Sequence, residues 1–278
     1  MINQADRDFF DSEGYLVIKG FYDLEADILP MLEDIYRIIG LVAARHGVAL
    51  SRTAFSAESF DQGYGDLLAA NRRYAGEVYD LVKQIPSFIR FIAHPKAEAL
   101  FREMRGTNHA GIGAASYGIR IDNPNEEKFR SHWHQEFVFQ PQSMDGIVFW
   151  TPLLSMKPEL GPVVVLPRSN RDGLCTYARG TTYVDKAGAY QIGIHDEDAV
   201  VARYEHIAPL TDPTDLLLMD FLTIHGSGCN ISNRSRWSVQ SRFFNFNDPV
   251  GMKVGWRASI TAGTEVEEIF PDNFVRAE

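Results

Sequence analysis

The chain has 278 residues, 45% of them hydrophobic and 23% charged, the balance of a globular protein with a sizeable core rather than of a disordered chain. Its net charge of −10 and pI of about 5.3 argue against partners that must be gathered by positive charge, such as nucleic acid or an anionic membrane surface. Only Cys175 and Cys229 carry thiols, with no CxxC pair, no apolar run nears the ~20 residues of a bilayer span, and MINQADRDFF is not a signal peptide. A cytoplasmic protein of one domain over 1–278 is expected, with neither disulfides nor a zinc ribbon.

The start, Ala5 to Phe10, followed by Glu13-Gly14 and the apolar run Tyr15-Leu16-Val17-Ile18, reads as helix, turn and first strand. Leu32, Ile35, Ile39 and Val42 then recur at helical spacing, with Pro30 tolerable only in a first turn and Gly47 as a stop. Helical periodicity returns from about Asp66 to Gln84 and around Ala97 to Met104, punctuated by Pro86 and Pro95, so about 1–105 is a helical support.

After Gly106 the pattern changes to short runs: Ser116 to Ile121, Phe137 to Phe139, Gly146 to Leu154, Val163 to Leu166, Leu216 to Met219 and Val239 to Phe246. Turn-rich segments such as Asp122-Asn123-Pro124-Asn125 separate them, and no helix is available for parallel crossovers, so an antiparallel barrel or jelly roll over about 106–250 is predicted. The stretch 170–206 fits no element and is expected as a lid or inserted loop. Tyr117, Phe137, Phe139, Phe149 and Phe243 are expected to line the barrel, mostly as core, with one or two shaping the substrate pocket.

Ser131-His132-Trp133-His134-Gln135-Glu136 carries the first chemistry. On an extended backbone alternate side chains share a face, so His134 and Glu136 stand side by side as a two-ligand clamp. His225, in Leu222-Thr223-Ile224-His225-Gly226-Ser227-Gly228, follows an apolar strand and supplies a second imidazole. Two imidazoles and one carboxylate leave coordination positions open and suit iron(II), whereas structural zinc closes with four ligands. An isolated HxE is weak, but downstream Arg236-Trp237-Ser238 offers a rigid guanidinium fork for a carboxylate. His132 falls on the same face, as a rim residue, a substrate-facing group or one behind the ligands; Cys229 reads as packing, and Arg120 and Arg242 as surface ion pairs or, alternatively, contacts for a substrate anion.

With Glu13-Gly14-Tyr15, Trp150-Thr151-Pro152-Leu153, the run Gly161 to Ser169, and His225-Gly226-Ser227-Gly228, the chain resembles the phytanoyl-CoA dioxygenase family of iron(II)/2-oxoglutarate oxygenases from Glu13 to about Phe243. The resemblance implies a mainly β, cupin-like double-stranded β-helix (jelly roll) buttressed by the N-terminal helices. It also implies His134, Glu136 and His225 as iron ligands and Arg236 as anchor of the distal carboxylate of 2-oxoglutarate. Gln135, Trp150 and Ser227 match the family's cosubstrate contacts, and Ser238 adds a hydroxyl by likeness to the RxS arrangement of other 2-oxoglutarate oxygenases. Glu136 departs from the commoner Asp, and its presence speaks against a halogenase, which needs a small residue there. The expectation is therefore an oxygenase that uses iron(II), 2-oxoglutarate and O2 to hydroxylate a small metabolite or a natural-product or sugar intermediate, as monomer or homodimer. Desaturation, epimerisation or demethylation on the same cofactors, a non-catalytic ligand-binding jelly roll, and a zinc hydrolase or isomerase are the alternatives.

Overall fold

The computed structural model describes residues 2–114, 116–179, 192–257 and 266–276. Helix α1 (Gln4–Glu13) opens with a capping box between Asn3 and Asp6 and closes on Gly14 at φ 77°. A Cβ on Gly14 would lie 2.2 Å from Thr223 Oγ1, a distance no side chain tolerates. Only glycine lets the chain turn into β1 (Tyr15–Ile18) while the Thr223 hydroxyl donates to Gly14 O at 2.7 Å. The first strand is thereby tied to the turn that delivers His225.

Helix α2 (Leu29–His46) carries Pro30 in its first turn and ends at Gly47, and its Leu32, Ile35, Ile39 and Val42 stripe is buried, as the spacing predicts. The single helix expected from Asp66 to Gln84 is two. Asn71 takes an extended backbone (φ −165°, ψ 124°) that ends α3 (Tyr64–Ala70), and its side chain caps α4 (Arg72–Leu81). Pro86 and Pro95 each open a helix, α5 (Pro86–Ile92) and α6 (Pro95–Arg105), because proline's missing N–H costs nothing in a first turn.

Ten further strands follow among the described residues: β2 (Ala110–Ile112), β3 (Gly118–Asp122), β4 (Gly146–Pro152), β5 (Val163–Val165), β6 (Tyr177–Arg179), β7 (Ile192–Ile194), β8 (Leu216–Asp220), β9 (His225–Ser227), β10 (Arg236–Asn245) and β11 (Phe274–Arg276). The main sheet runs β1-β8-β4-β10-β2, and β3 pairs with β10 on the same edge as β2. All its pairs are antiparallel. Facing it, β5 pairs with β9, and isolated bridges add His134 to His225 and Ile207 to Val165. β6 and β7 form a third sheet with β11. This is the jelly roll with helical support that the sequence texture predicts.

β4 is buried at every position. Alternate residues of β4 and β10 face opposite ways: on one face Phe149 and Phe243 meet with tilted rings at 4.6 Å, Phe243 stacks on Phe101 of α6 at 5.7 Å, and Trp237 meets Phe60 and Tyr64. Phe149 and Phe243 therefore seal the sheet against the helices and do not line the barrel. Each such aromatic contributes roughly 1.5–3 kcal/mol by burial. Tyr117 is exposed, and Phe137 to Phe139 form no strand: residues Glu136–Val138 make one 3₁₀ turn. In the stretch expected as a lid, 180–191 lie outside the described residues, but β6 packs beneath the His134 segment.

Candidate active site

The two faces of the jelly roll enclose a cavity of about 550 Å³, the size of a small-molecule site. His134, Glu136, His225, Ser227, Trp150, Arg236, Gln240 and Arg242 all contribute to its wall. The backbone pairing of His134 with His225, N–H to carbonyl at 3.0 Å in both directions, fixes the two imidazoles across from one another. Gln135 is extended (φ −101°, ψ 136°), so Glu136 returns to the same side as His134, although no regular strand is present.

Both histidines are oriented by main-chain acceptors. His134 Nδ1 lies 2.8 Å from His132 O and His225 Nδ1 2.9 Å from Thr223 O. Each Nδ1 therefore carries the proton and donates it, leaving each Nε2 with an outward lone pair. The two Nε2 atoms lie 3.8 and 3.7 Å from Glu136 Oε2, too far for hydrogen bonds. Three acceptor atoms thus converge within 4.8 Å of one another. Burial first, then the neighbouring His225, push the His134 imidazole below its usual pKa, keeping it neutral. Burial opposes the ionised form of Glu136, but the Arg242 guanidinium prevails and holds the carboxyl well below the usual range. A convergence of two imidazole nitrogens and a carboxylate oxygen is a donor set for a divalent cation, and it fits the open two-histidine, one-carboxylate arrangement of iron(II) sites.

Arg236 is 1% exposed, a burial that an unpaired guanidinium does not survive. Its Nη2 lies 2.8 Å from Asp122 Oδ2 and donates to Ser227 Oγ at 3.0 Å, while Nη1 has no hydrogen-bond partner. Asp122 sits opposite Arg236 in the β3–β10 register and is shared with Arg120 at 2.8 Å. Burial raises its pKa, but Arg120 and Arg236 outweigh that and hold it below the usual carboxylate value. The Ser238 side chain shares the Arg236 face of β10, fully buried, and its Oγ makes no hydrogen bond.

Gln135 is placed elsewhere. Its Nε2 donates to Gly173 O and Leu222 O, both at 2.7 Å, and its Oε1 accepts from Cys175 N (2.8 Å) and the Tyr177 hydroxyl (3.1 Å). With every donor and acceptor used on the side away from the cavity, Gln135 is a brace for the metal-motif segment rather than a cosubstrate contact. His132 is buried outside the cavity wall, its ring 6.0 Å from that of His134, and its contribution to His134 comes from its carbonyl. Cys229 is exposed and donates to Glu127 Oε2, outside the site.

Arg120 and Arg242 are not surface ion pairs: both line the cavity, with side chains 21% and 14% exposed. Asp122, read from the sequence as a turn residue, is the largely covered partner, its side chain 12% exposed, that two arginines share. The strand alternation Arg236, Ser238, Gln240, Arg242 was the available clue, since one face of one strand carries all four.

The family model for phytanoyl-CoA dioxygenase (PhyH) matches residues 10–238. Sequence comparison with curated proteins gives no match. Among solved structures, the chain is similar to the nogalamycin-biosynthesis epimerase SnoN in complex with Fe3+, alpha ketoglutarate and nogalamycin RO (13% identity, TM-score 0.57, 89% of this chain and 86% of that one). It is likewise similar to the carbocyclase SnoK from nogalamycin biosynthesis (13%, TM-score 0.55, 88% and 84%). EctD from S. alaskensis with 2-oxoglutarate and 5-hydroxyectoine also superposes (17%, TM-score 0.55, 92% and 78%). At these identities the likeness is one of fold.

Proposed function

The chain belongs to the phytanoyl-CoA dioxygenase family of iron(II)/2-oxoglutarate-dependent oxygenases, and from that premise we propose that it hydroxylates an unactivated C–H bond of a small molecule. His134, Glu136 and His225 hold the iron in this reading, and Arg236 anchors the distal carboxylate of 2-oxoglutarate with help from Ser227 and Ser238. The observation that carries it is the convergence of three buried ligand atoms, of His134, Glu136 and His225, within 4.8 Å of one another, beside a buried guanidinium whose Nη1 has no acceptor.

Iron, when bound, supplies the O2 chemistry by which 2-oxoglutarate is converted to succinate and CO2 while one oxygen atom passes to the substrate. The protein's own part is placement. The main-chain acceptors behind His134 and His225 keep both rings in the ligating tautomer. Asp122 holds the Arg236 fork in place from behind, and Trp150, Val163 and Phe139 give the cavity an apolar wall that excludes water from the reacting C–H bond.

The substrate is a free small molecule rather than a CoA thioester. Four arginines line the cavity, Arg72, Arg120, Arg236 and Arg242, and each is paired with a carboxylate, of Glu126, Asp122, Asp122 and Glu136 in turn. Among the described residues no lysine lines the cavity with them, so these contribute no unspent cluster of cations for the phosphates of CoA. No helix among the described residues is long and apolar enough to cross a membrane.

Anaerobic titration of the apo-protein with iron(II) and 2-oxoglutarate tests the assignment through the weak visible charge-transfer band of chelated cosubstrate. The wild type is expected to show the band, His134→Ala to lose it, and Arg236→Ala to need at least about tenfold more 2-oxoglutarate, the loss of a charge-assisted bidentate contact. A wild type that binds iron yet never shows the band would refute the cosubstrate assignment.

A further inference from the structure

Glutamate at position 136 poses a geometric problem. Its side chain has one more rotatable bond than aspartate and can offer either oxygen, or both, to a metal. A triad of single-atom donors leaves three of six positions on iron(II), the number that a bidentate 2-oxoacid and O2 require together. A carboxylate that chelated through both oxygens would take one of these.

The structure shows what prevents it. Arg242 Nε donates to Glu136 Oε1 at 3.0 Å, and Nη2 donates to Oε2 at the longer distance of 3.3 Å. Oε2 is the oxygen that faces both imidazole Nε2 atoms, so Oε1 meets the guanidinium alone, while Oε2 meets the histidines and the longer arm of the fork. Arg242 is itself held. Nη1 donates to Ser116 O at 3.2 Å and Nη2 to Gln240 Oε1 at 3.2 Å. Ser116 lies where the edge of the sheet passes from β2 to β3, between Ile112 opposite Phe243 and Gly118 opposite Gln240. That break in the edge brings a main-chain carbonyl to Arg242, which a continuous ladder would have kept for itself.

We propose that Arg242 is the positioning residue that makes Glu136 a one-oxygen ligand, by holding Oε1 on the shorter, Nε arm of its fork and so keeping it turned away while Oε2, on the longer arm, faces the metal. This rests on the oxygenase reading of the site. It also accounts for how a glutamate serves where a shorter carboxylate is commoner: the spare length of the side chain is used to reach the fork. Arg242 lies beyond the residues that the family model matches, and its donors are taken up by Glu136, Ser116 and Gln240, which makes it a holder of the ligand and not a substrate contact.

The test is a double-mutant cycle on iron(II) affinity of the apo-protein, measured anaerobically against a chromophoric chelator, with Arg242→Lys, Glu136→Asp and the pair. Lysine keeps the positive charge near the metal and removes only the fork. Arg242→Lys is expected to weaken iron binding about tenfold or more, the usual range for a group that orients a ligand. In the Glu136→Asp background, where the carboxylate no longer spans both partners, the same change is expected to cost under about threefold, so the two sites couple. Equal losses in both backgrounds, or no loss in either, would overturn the proposal, as would a variant whose melting temperature falls while the iron constant of the folded protein stays put. A second measurement needs no variant: in an iron-loaded crystal structure of the wild type, Glu136 is expected to ligate through one oxygen with Arg242 on the other, and chelation through both oxygens with Arg242 displaced sinks the idea. Failure of the oxygenase reading looks different, because a wild type that binds iron without the 2-oxoglutarate band leaves the coupling between Arg242 and Glu136 readable from the iron constants alone.

Discussion

Strand β10 and the segment 131–139 meet in the same cavity, and they hold their side chains there by different means. β10 is ten residues long, hydrogen-bonded on one edge to β4 and on the other to β3 and β2. Its alternation alone aims Arg236, Gln240 and Arg242 inward. The segment 131–139 has one isolated bridge, at His134, and then a single 3₁₀ turn. Its ligands are placed by specific contacts: His132 O behind His134, the four bonds of Gln135, and the Arg242 fork on Glu136. A ladder places side chains with redundancy, since one lost bond leaves the rest. An irregular segment places them through individual groups, each of which is a point of failure.

The largest expected effect follows from that contrast. Gln135→Leu removes a side chain of similar size whose four bonds end on Gly173 O, Leu222 O, Cys175 N and the Tyr177 hydroxyl. Each buried group left without a partner costs roughly 1–3 kcal/mol, so the apo-protein is expected to lose at least about 3 kcal/mol in urea unfolding. Iron affinity falls with it, because His134 and Glu136 flank the lost brace. A Gln135→Leu protein of wild-type stability and iron affinity would show that the segment is held by its bridge alone and would erase the distinction.

The same contrast decides what could be read from sequence. Strands β4, β8 and β10 are legible because buried sheet positions demand apolar residues at a fixed period, and so is α2, with Pro30 in its first turn and Gly47 at its end. Phe137 to Phe139, an apolar run with no period, looked like a strand and is a turn, since its conformation is decided by a distant donor and acceptor, Phe137 N to Phe221 O at 3.2 Å among them. The cluster of His134, Glu136 and His225, which could hold a metal ion, is legible because its chemistry has few other uses at that spacing. Gln135 was misread because a family position carries a residue type and not a direction: its amide is turned to β6, which no local pattern foretells. Asp122 and Arg242 were missed for the same reason, as ion pairs across a barrel join residues remote in sequence.

A smaller effect is expected where β10 meets β3. Asp122→Asn keeps the shape and removes the charge that Arg120 and Arg236 share. Breaking a buried pair from one side costs about 3 kcal/mol, and the freed fork of Arg236 is expected to raise the KM for 2-oxoglutarate about tenfold while kcat changes less. The pH dependence has a definite sign. Arg120 and Arg236 hold the folded pKa of Asp122 below its unfolded value near 4. The unfolded chain therefore binds the proton first on acidification, so the contribution of Asp122 is complete above about pH 4 and is lost as pH falls below it. Urea unfolding between pH 6 and 3 should show a steeper acid loss in the wild type than in Asp122→Asn. Parallel profiles would mean that the guanidiniums find other partners and that β10 needs no help to aim Arg236.

The smallest effect isolates cosubstrate binding from fold. Ser238 Oγ is buried and makes no hydrogen bond, so Ser238→Ala removes a hydroxyl with nothing to lose in the apo-protein, and its stability is expected to stay within about 0.5 kcal/mol or to rise slightly. A buried hydroxyl without a partner is costly to keep. One that shares the Arg236 face of β10 is explained if a carboxylate arriving at Arg236 accepts from it. The dissociation constant of 2-oxoglutarate, read from the charge-transfer band, is then expected to rise about fivefold, the value of one hydrogen bond, with iron affinity unchanged. An unaltered constant would place the distal carboxylate on Arg236 and Ser227 alone. The regular strand would then contribute a single anchor, and the irregular segment would carry the greater share of the site's specificity.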